Sequence, residues 1–199
     1  PFYPEGGGQV GDTGVIENSS ESIAIIDTKK ENKLIVHFAD ELPNNVKSSF
    51  TAKVNAVDRK ASARNHTGTH LLHESLRSIL GNHVEQKGSL VNPKYLRFDF
   101  THFAKIEKVD LQKIEQDVNA KILANIALNE HISLSLKQAE DMGAIMLFGE
   151  KYEDVVRMIQ FDSSKELCGG THVAATGEIG LFKILSEGST SSGIRRIEA

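Results

Sequence analysis

The stretch that decides the fold is RNHTGTH, residues 64–70. Apolar residues follow it at three- and four-residue spacing, so the pattern predicts a helix over residues 58–80. On a helix, residues four apart lie one turn above each other on the same face. His66 and His70 are therefore expected to direct two imidazoles toward one point.

A second pair with the same spacing lies far along the chain, in CGGTH at residues 168–172. Cys168, which is the only cysteine, and His172 would supply a thiolate and a third imidazole. Three nitrogens and one sulfur form a ligand set that suits Zn²⁺, although the order differs from that of a zinc finger. The alternative is a helix with two ordinary histidines and an unrelated buried cysteine.

The composition is that of a globular chain. Its 199 residues are 39% hydrophobic and 25% charged, which suits one domain or two small ones. No run approaches the roughly 18 apolar residues of a membrane span, and the first stretch, PFYP at residues 1–4, has no Met, no basic start and no apolar core of a signal peptide. We therefore expect a piece of a longer protein that does not meet a membrane. A single cysteine favours a reducing, cytoplasmic location.

The net charge of −4 argues against a free-standing, high-affinity nucleic-acid binder, because phosphate contacts dominate such affinity. It leaves open a domain that meets nucleic acid while another part of the protein supplies most of the affinity.

The N-terminal stretch PEGGGQVGDTG, residues 4–14, is too rich in glycine for a helix or a central strand. It is either a turn between short strands or a backbone surface that lines a pocket, and it lacks the Lys-Ser/Thr ending of a P-loop. Residues 12–57 are rich in β-branched residues between turn signals. They predict a small barrel or sandwich, so that residues 1–57 form a first, glycine-rich β subdomain.

Residues 58–199 predict an α+β domain, an antiparallel sheet with two long helices on one face. The second helix is expected at 106–127, where apolar residues repeat at helical spacing. The other predicted elements are a hairpin at 83–103, strands at 129–136 and 155–160, a short helix near 138–142, and closing strands at 180–186 and 193–198.

A zinc site with four protein ligands is usually closed and structural, whereas a site with an open position does chemistry. The ligand count favours the first kind. The polar surroundings of the first pair, Thr67, Thr69 and His73, favour the second kind, in which zinc would polarise a carbonyl, anchor an amino group or activate a water. The nucleophile would then be water, because the sequence offers no assignable Ser-His-Asp arrangement.

With these motifs, the chain resembles the editing domain of alanyl-tRNA synthetase and its free-standing relatives, the AlaX-type deacylases. The two ligand pairs are also shared with the editing domain of threonyl-tRNA synthetase. FGEKY at 148–152 and GIRRIEA at 193–199 are more similar to the synthetase, while PEGGGQ is close to the AlaX glycine motif. The resembling segments cover residues 1–14, 64–72, 83–100, 147–152, 168–172, 176–188 and 193–199.

The resemblance implies hydrolysis of the ester that joins serine or glycine to tRNA(Ala). Its partners would be the acceptor end of that tRNA and the remainder of the parent synthetase. A free-standing deacylase, or a tRNA-binding module with a structural zinc and no chemistry, remains an alternative.

The resemblance also implies roles for individual residues. The zinc ligands would be His66, His70, Cys168 and His172. Thr69 and Gln86 match positions linked to editing and substrate discrimination, and Gly6, Gly7, Gly8 and Gln9 match a motif that approaches the substrate. Arg195 and Arg196 are candidate phosphate contacts, as are Lys183 and the basic residues between 59 and 64.

Overall fold

The computed structural model describes residues 1–146 and 152–199, so the resembling segment at 147–152 lies outside the described residues except for Tyr152. The fold is α+β, as predicted. No helix of the described part is long and apolar enough to cross a membrane. The elements in chain order are β1 (Gly14–Glu17), β2 (Ser22–Glu31), β3 (Leu34–Ala39), β4 (Thr51–Val54), α1 (Ala56–Leu80), β5 (Gln86–Val91), β6 (Leu96–Thr101), α2 (Lys108–Leu123), β7 (Asn129–Ser135), α3 (Leu136–Asp141), β8 (Val155–Phe161), β9 (Ser164–Leu167), a 3₁₀ turn (Thr176–Ile179), β10 (Ser186–Ser191) and β11 (Ile194–Glu198).

Helix α1 is the predicted first helix. Asn55 caps its start by accepting hydrogen bonds from the backbone N–H groups of Val57 and Asp58. The helix ends at Gly81, whose N–H donates to the carbonyl of Arg77 at 2.9 Å. Its apolar stripe includes Leu72, which is fully buried.

The central sheet has the order β10-β11-β6-β5, with every neighbouring pair antiparallel. Both long helices contribute to the same core as this sheet. Phe98 and Phe100 of β6, Ile197 of β11 and Ile114 of α2 are all completely buried. The predicted hairpin and the predicted pair of long helices are thus both present.

The N-terminal strands form an antiparallel sheet of order β3-β2-β1-β4 that is not a closed barrel in the described residues, so barrel-like describes the predicted β subdomain only loosely. Within residues 1–146 and 152–199, the outer strands β3 and β4 pair only with their inner neighbours, β2 and β1. A barrel requires pairing all the way around, and β3 and β4 remain edge strands in the described part of the chain. The predicted boundary at residue 57 stays a prediction.

The predicted strand at 180–186 is wrong, because the last hairpin begins only at Ser186. The segment before it docks on α2 instead of pairing in the sheet. Asn119 donates to the carbonyl of Phe182 at 2.8 Å and accepts from its N–H at 3.0 Å. The side chain of Phe182 enters the core.

A third sheet, β7-β8-β9, contains the predicted strands at 129–136 and 155–160. Its third strand, β9, was not predicted. The short helix α3 packs on this sheet through Ala139, close to its predicted position. Strand β9 matters for function because the chain passes from it directly into CGGTH.

The glycine-rich segment runs along the edge of the central sheet. The N–H of Val10 donates to the carbonyl of Val91 at 3.0 Å, and the N–H of Val91 donates to the carbonyl of Gly8 at 2.8 Å. Asp12, at the end of the segment, accepts hydrogen bonds from Arg59 of α1 at 2.7 and 2.8 Å. The first residues of the chain are thereby held against α1 and β5.

Candidate metal centre

The structure brings the four predicted ligands together. His66 and His70 project from one face of α1, and Cys168 and His172 come from the loop after β9. One ligand atom from each of the four lies within 4.8 Å of all the others. Both helix histidines are buried, while Cys168 and His172 are partly exposed, so the cluster lies just below the surface.

Hydrogen bonds orient two of the imidazoles. Nδ1 of His66 bonds Oε1 of Gln9 at 2.8 Å, and Nδ1 of His172 bonds the hydroxyl of Thr67 at 3.0 Å. The opposite nitrogen of each ring, Nε2, lies 3.4 Å from the Sγ of Cys168.

These distances fit a tetrahedral zinc. Zinc–nitrogen and zinc–sulfur bonds of about 2.0 and 2.3 Å place a nitrogen and a sulfur ligand about 3.5 Å apart. Nδ1 of His70 is buried and has no hydrogen-bond partner among the described residues, so this nitrogen is available to bind a metal ion. The donor set and its spacing can therefore hold a metal ion.

Burial keeps these imidazoles neutral. Burial, together with the neighbouring His70, lowers the pKa of His66 to about 3. Burial also lowers the pKa of His70, and that of His172 falls well below its usual value for the same reason. Metal binding needs an unprotonated ring nitrogen, so these three histidines have the protonation state that a metal requires.

A buried carboxylate adjoins the cluster and was not predicted. Oε1 of Glu166 bonds Nδ1 of His73 at 3.0 Å, and Oε2 lies 3.7 Å from Nε2 of His70. Burial alone would raise the pKa of Glu166, but His70 and His73 lower it to about 2. The sequence did contain a signal for Glu166. Residues two apart on a strand share a face, and Glu166 precedes Cys168 by two positions.

The CGGTH loop is held by Arg157, which was also not predicted. Its guanidinium donates to the carbonyls of Cys168 at 3.0 Å and Gly170 at 2.8 Å. The backbone of Gly170 passes so close to His66 that a Cβ there would lie 2.0 Å from the ring carbon Cε1. Glycine at this position is therefore a steric requirement of the site.

A cleft of about 410 Å³ opens over the cluster. Thr69, Gln86, Gly6 and Gly7 are among its lining residues, as are Glu166 and the ligands themselves except His172. The hydroxyl of Thr69 donates to the carbonyl of Asn65 at 2.9 Å, which leaves its oxygen able to accept. Gly8 and Gln9 lie behind this surface; Gln9 is completely buried.

The structure does not bring the predicted phosphate contacts to the cleft. Arg195 pairs with Glu187, and Arg196 donates to both carboxylate oxygens of Asp99 at 2.6 and 2.7 Å. Both arginines lie on β11, and neither lines the cleft. Two other candidates, Arg59 and Lys183, pair with Asp12 and Glu115. A phosphate would have to compete with these carboxylates.

Comparison with known proteins gives two family matches. The family described as "Threonyl and Alanyl tRNA synthetase second additional domain" matches residues 156–198, which include the CGGTH loop. The family described as "tRNA synthetases class II (A)" matches residues 1–61, which include the glycine-rich segment.

Curated relatives match the whole chain. An alanine–tRNA ligase of Flavobacterium psychrophilum and one of Bacteroides fragilis are each 58% identical to it, and one of Porphyromonas gingivalis is 50% identical. In each case the alignment covers 100% of this chain and 23% of the relative. The chain thus spans about a quarter of the length of these relatives.

Proposed function

Since the chain belongs to the alanyl-tRNA synthetase family as one of its domains, we propose that it is the editing domain and hydrolyses mischarged tRNA(Ala). The substrate would be the ester that joins serine or glycine to the 3′ end of the tRNA. The single observation that carries this proposal is the convergence of three imidazoles and one thiol beside a cleft that His66, His70 and Cys168 line.

A synthetic site for alanine needs such a second site for a physical reason. A pocket that holds alanine cannot strongly reject serine, which adds only a hydroxyl, or glycine, which lacks one methyl group worth about 1–3 kcal/mol. Hydrolysis in a separate cleft removes these products after they form. The cleft must then favour serine over alanine by a different criterion from size.

Hydrogen bonding to the serine hydroxyl supplies that criterion. Thr69 and Gln86 both line the cleft beside the cluster. The Thr69 hydroxyl, whose proton goes to the carbonyl of Asn65, can accept from a serine hydroxyl or an attacking water, while the amide of Gln86 can donate and accept. Alanine has no hydroxyl to offer them, and each donor or acceptor that is thereby left buried and unsatisfied costs about 1–3 kcal/mol.

The donor set fits zinc by its chemistry and spacing, and His66, His70, Cys168 and His172 would hold the ion. When bound, zinc supplies Lewis acidity toward a carbonyl oxygen or a water molecule. Glu166, ionised at the wall of the cleft, would pair with the α-ammonium group of the amino acid. The backbone of Gly6 and Gly7 would allow close approach of the tRNA end.

The test is removal of the thiolate in the full-length protein. Cys168→Ala is expected to lower the zinc content and to slow the release of serine from Ser-tRNA(Ala) by about 100-fold or more, since loss of one ligand opens the site. His37→Gln, at an exposed histidine outside the cluster, serves as the control. Unchanged serine release by Cys168→Ala would show that editing does not depend on this site.

One observation favours a second function, a tRNA-binding module with a structural zinc. Four protein ligands are the usual number for a closed site. In that case cobalt substituted for zinc would show a tetrahedral absorption spectrum that does not change with added substrate analogue, and no aminoacyl-tRNA would be hydrolysed. A third hypothesis is a free-standing AlaX-type protein. The length of the native open reading frame tests it, because a free-standing protein would be much shorter than a synthetase.

A further inference from the structure

Gln9 occupies an unusual place for a residue of a glycine-rich substrate motif. It is completely buried, and its side chain points away from the cleft, between α1 and the CGGTH loop. Its Oε1 accepts from the N–H of Thr171 at 3.0 Å and bonds Nδ1 of His66 at 2.8 Å. Its Nε2 donates to the hydroxyl of Thr171 at 2.9 Å.

These contacts determine which end of the amide faces His66. A backbone N–H can only donate, so the Gln9 atom beside the N–H of Thr171 must be the oxygen. That same oxygen faces Nδ1 of His66, and an amide oxygen can only accept. The proton of the neutral imidazole is thus placed on Nδ1, and the lone pair is left on Nε2, which lies 3.4 Å from the Cys168 sulfur.

His172 lacks a partner of this kind. Its Nδ1 bonds the hydroxyl of Thr67, and a hydroxyl can donate as well as accept. Nε2 of His70 lies 3.7 Å from Glu166, beyond hydrogen-bond distance. Among the described residues, Gln9 is therefore the hydrogen-bonding partner that specifies the tautomer of a histidine in this cluster.

The backbone around Gln9 is held as firmly as the side chain. Its N–H donates to the carbonyl of Gly6 at 3.0 Å, and its own carbonyl accepts from Gly6 at 3.1 Å. On either side, Gly8 and Val10 bond to Val91 at the edge of β5. Gly8 has a φ of +81°, and a Cβ there would lie 2.2 Å from the Ser89 hydroxyl, so glycine lets the segment lie against the sheet.

We propose that Gln9 is a positioning residue of the metal centre, which holds His66 as the Nδ1–H tautomer and joins the two ligand-bearing segments. Its part in catalysis rests on the proposed function, since it would act by presenting Nε2 of His66 to the metal. The glycines around Gln9 then have two different roles. Gly6 and Gly7 face the cleft, while Gly8 allows Gln9 to enter the interior.

The first test needs no substitution. Nitrogen-15 NMR of the histidine rings in the metal-free wild-type chain reports which nitrogen carries the proton. We expect His66 to be protonated at Nδ1. A proton on Nε2 would overturn the proposal, whatever the chain does with tRNA.

The second test measures zinc affinity by competition with a chelator. Gln9→Met, of similar size but without an amide, is expected to bind zinc about 10- to 100-fold more weakly, the usual loss when a partner of a metal-bound histidine is removed. Gln9→Glu keeps an acceptor for His66 and is expected to stay within about threefold of wild type. Gln112→Met, at an exposed glutamine of α2, is the matched control.

The outcomes separate the two proposals. If Gln9→Met binds zinc as tightly as wild type but raises the KM for Ser-tRNA(Ala), Gln9 contacts substrate and the inference is wrong. If the wild-type chain binds no zinc, the proposed metal-dependent function fails, while the tautomer of His66 still decides the role of Gln9. If Gln9→Met does not fold, Gln9→Glu and the wild-type spectrum remain decisive.

Discussion

At the scale of single residues, the cluster depends on contacts that are not ligands. Gln9 and Thr67 orient two of the imidazoles, and Glu166 adjoins the third. Gly170 leaves room for the ring of His66, which a larger residue would displace. The supporting groups therefore constrain the ligands more tightly than helical spacing alone could.

Two adjacent glycines provide a matched test of this close approach. In Gly170→Ala the new Cβ would lie 2.0 Å from the Cε1 of His66 and 3.1 Å from the Oε1 of Gln9. We expect zinc binding to weaken by about 100-fold, at the upper end of the range for disturbed supporting contacts. Gly169→Ala, whose Cβ would meet nothing within 4 Å, is expected to stay within about threefold of wild type. Equal zinc affinities of the two variants, measured by chelator competition, would contradict this account.

At the scale of elements, α1 both builds the core and carries two ligands. Its apolar stripe is buried against the central sheet, while His66 and His70 face the CGGTH loop. The start of the same helix holds the N-terminal segment through Arg59 and Asp12. Asp12 is 5% exposed and also accepts from the N–H of Tyr3 at 2.6 Å.

Removing this tether is expected to destabilise the chain. Arg59→Met leaves the buried carboxylate of Asp12 without its cation, and the free energy of unfolding in urea should fall by about 3 kcal/mol. Lys60→Met, at the exposed neighbour on α1, should change it by less than about 0.5 kcal/mol. Adding Asp12→Asn to Arg59→Met is expected to recover part of the loss. A double variant less stable than the single one would argue against an unpaired charge as the cause.

At the scale of the whole molecule, the site lies where three parts of the chain meet. The glycine-rich segment comes from the edge of the central sheet, α1 from its helical layer, and CGGTH from the end of the third sheet. The cluster is therefore formed only when these parts assemble. Its buried histidines should accordingly make global stability depend on pH.

The sign of that dependence follows from the lowered pKa values. The folded state keeps His66 neutral down to about pH 3, whereas an unfolded chain protonates it near pH 6.5. Below pH 6.5 the unfolded state binds more protons than the folded state. The free energy of unfolding therefore decreases as the pH is lowered, by about 1.4 kcal/mol per pH unit for each such histidine. Urea unfolding of the metal-free chain should thus show a loss between pH 7 and pH 5. His66→Asn should reduce the slope of the free energy of unfolding against pH by the contribution of one proton. A wild-type free energy that does not change with pH would contradict the buried, neutral state of His66.

Much of the fold was predictable because its signals are local. The first helix, the hairpin of β5 and β6, and the strands β7 and β8 were predicted close to their observed bounds. The strand predicted at 180–186 is wrong and the barrel-like description is only loose, and both concern long-range pairing. Residues 180–186 resemble a strand, but Asn119 of α2 binds the backbone of Phe182. The N-terminal strands resemble part of a barrel, but β3 and β4 remain edge strands in the described residues.

The sequence by itself determined the α+β class and the pairing of His66 with His70, because helical periodicity acts between residues four apart. It also indicated the second pair, Cys168 and His172, by its spacing. Only the tertiary structure decided that Gln9, 57 residues before His66, enters the cluster, and that Glu166 meets His73 across 93 residues. Such contacts depend on the path of the whole chain, which no local pattern encodes.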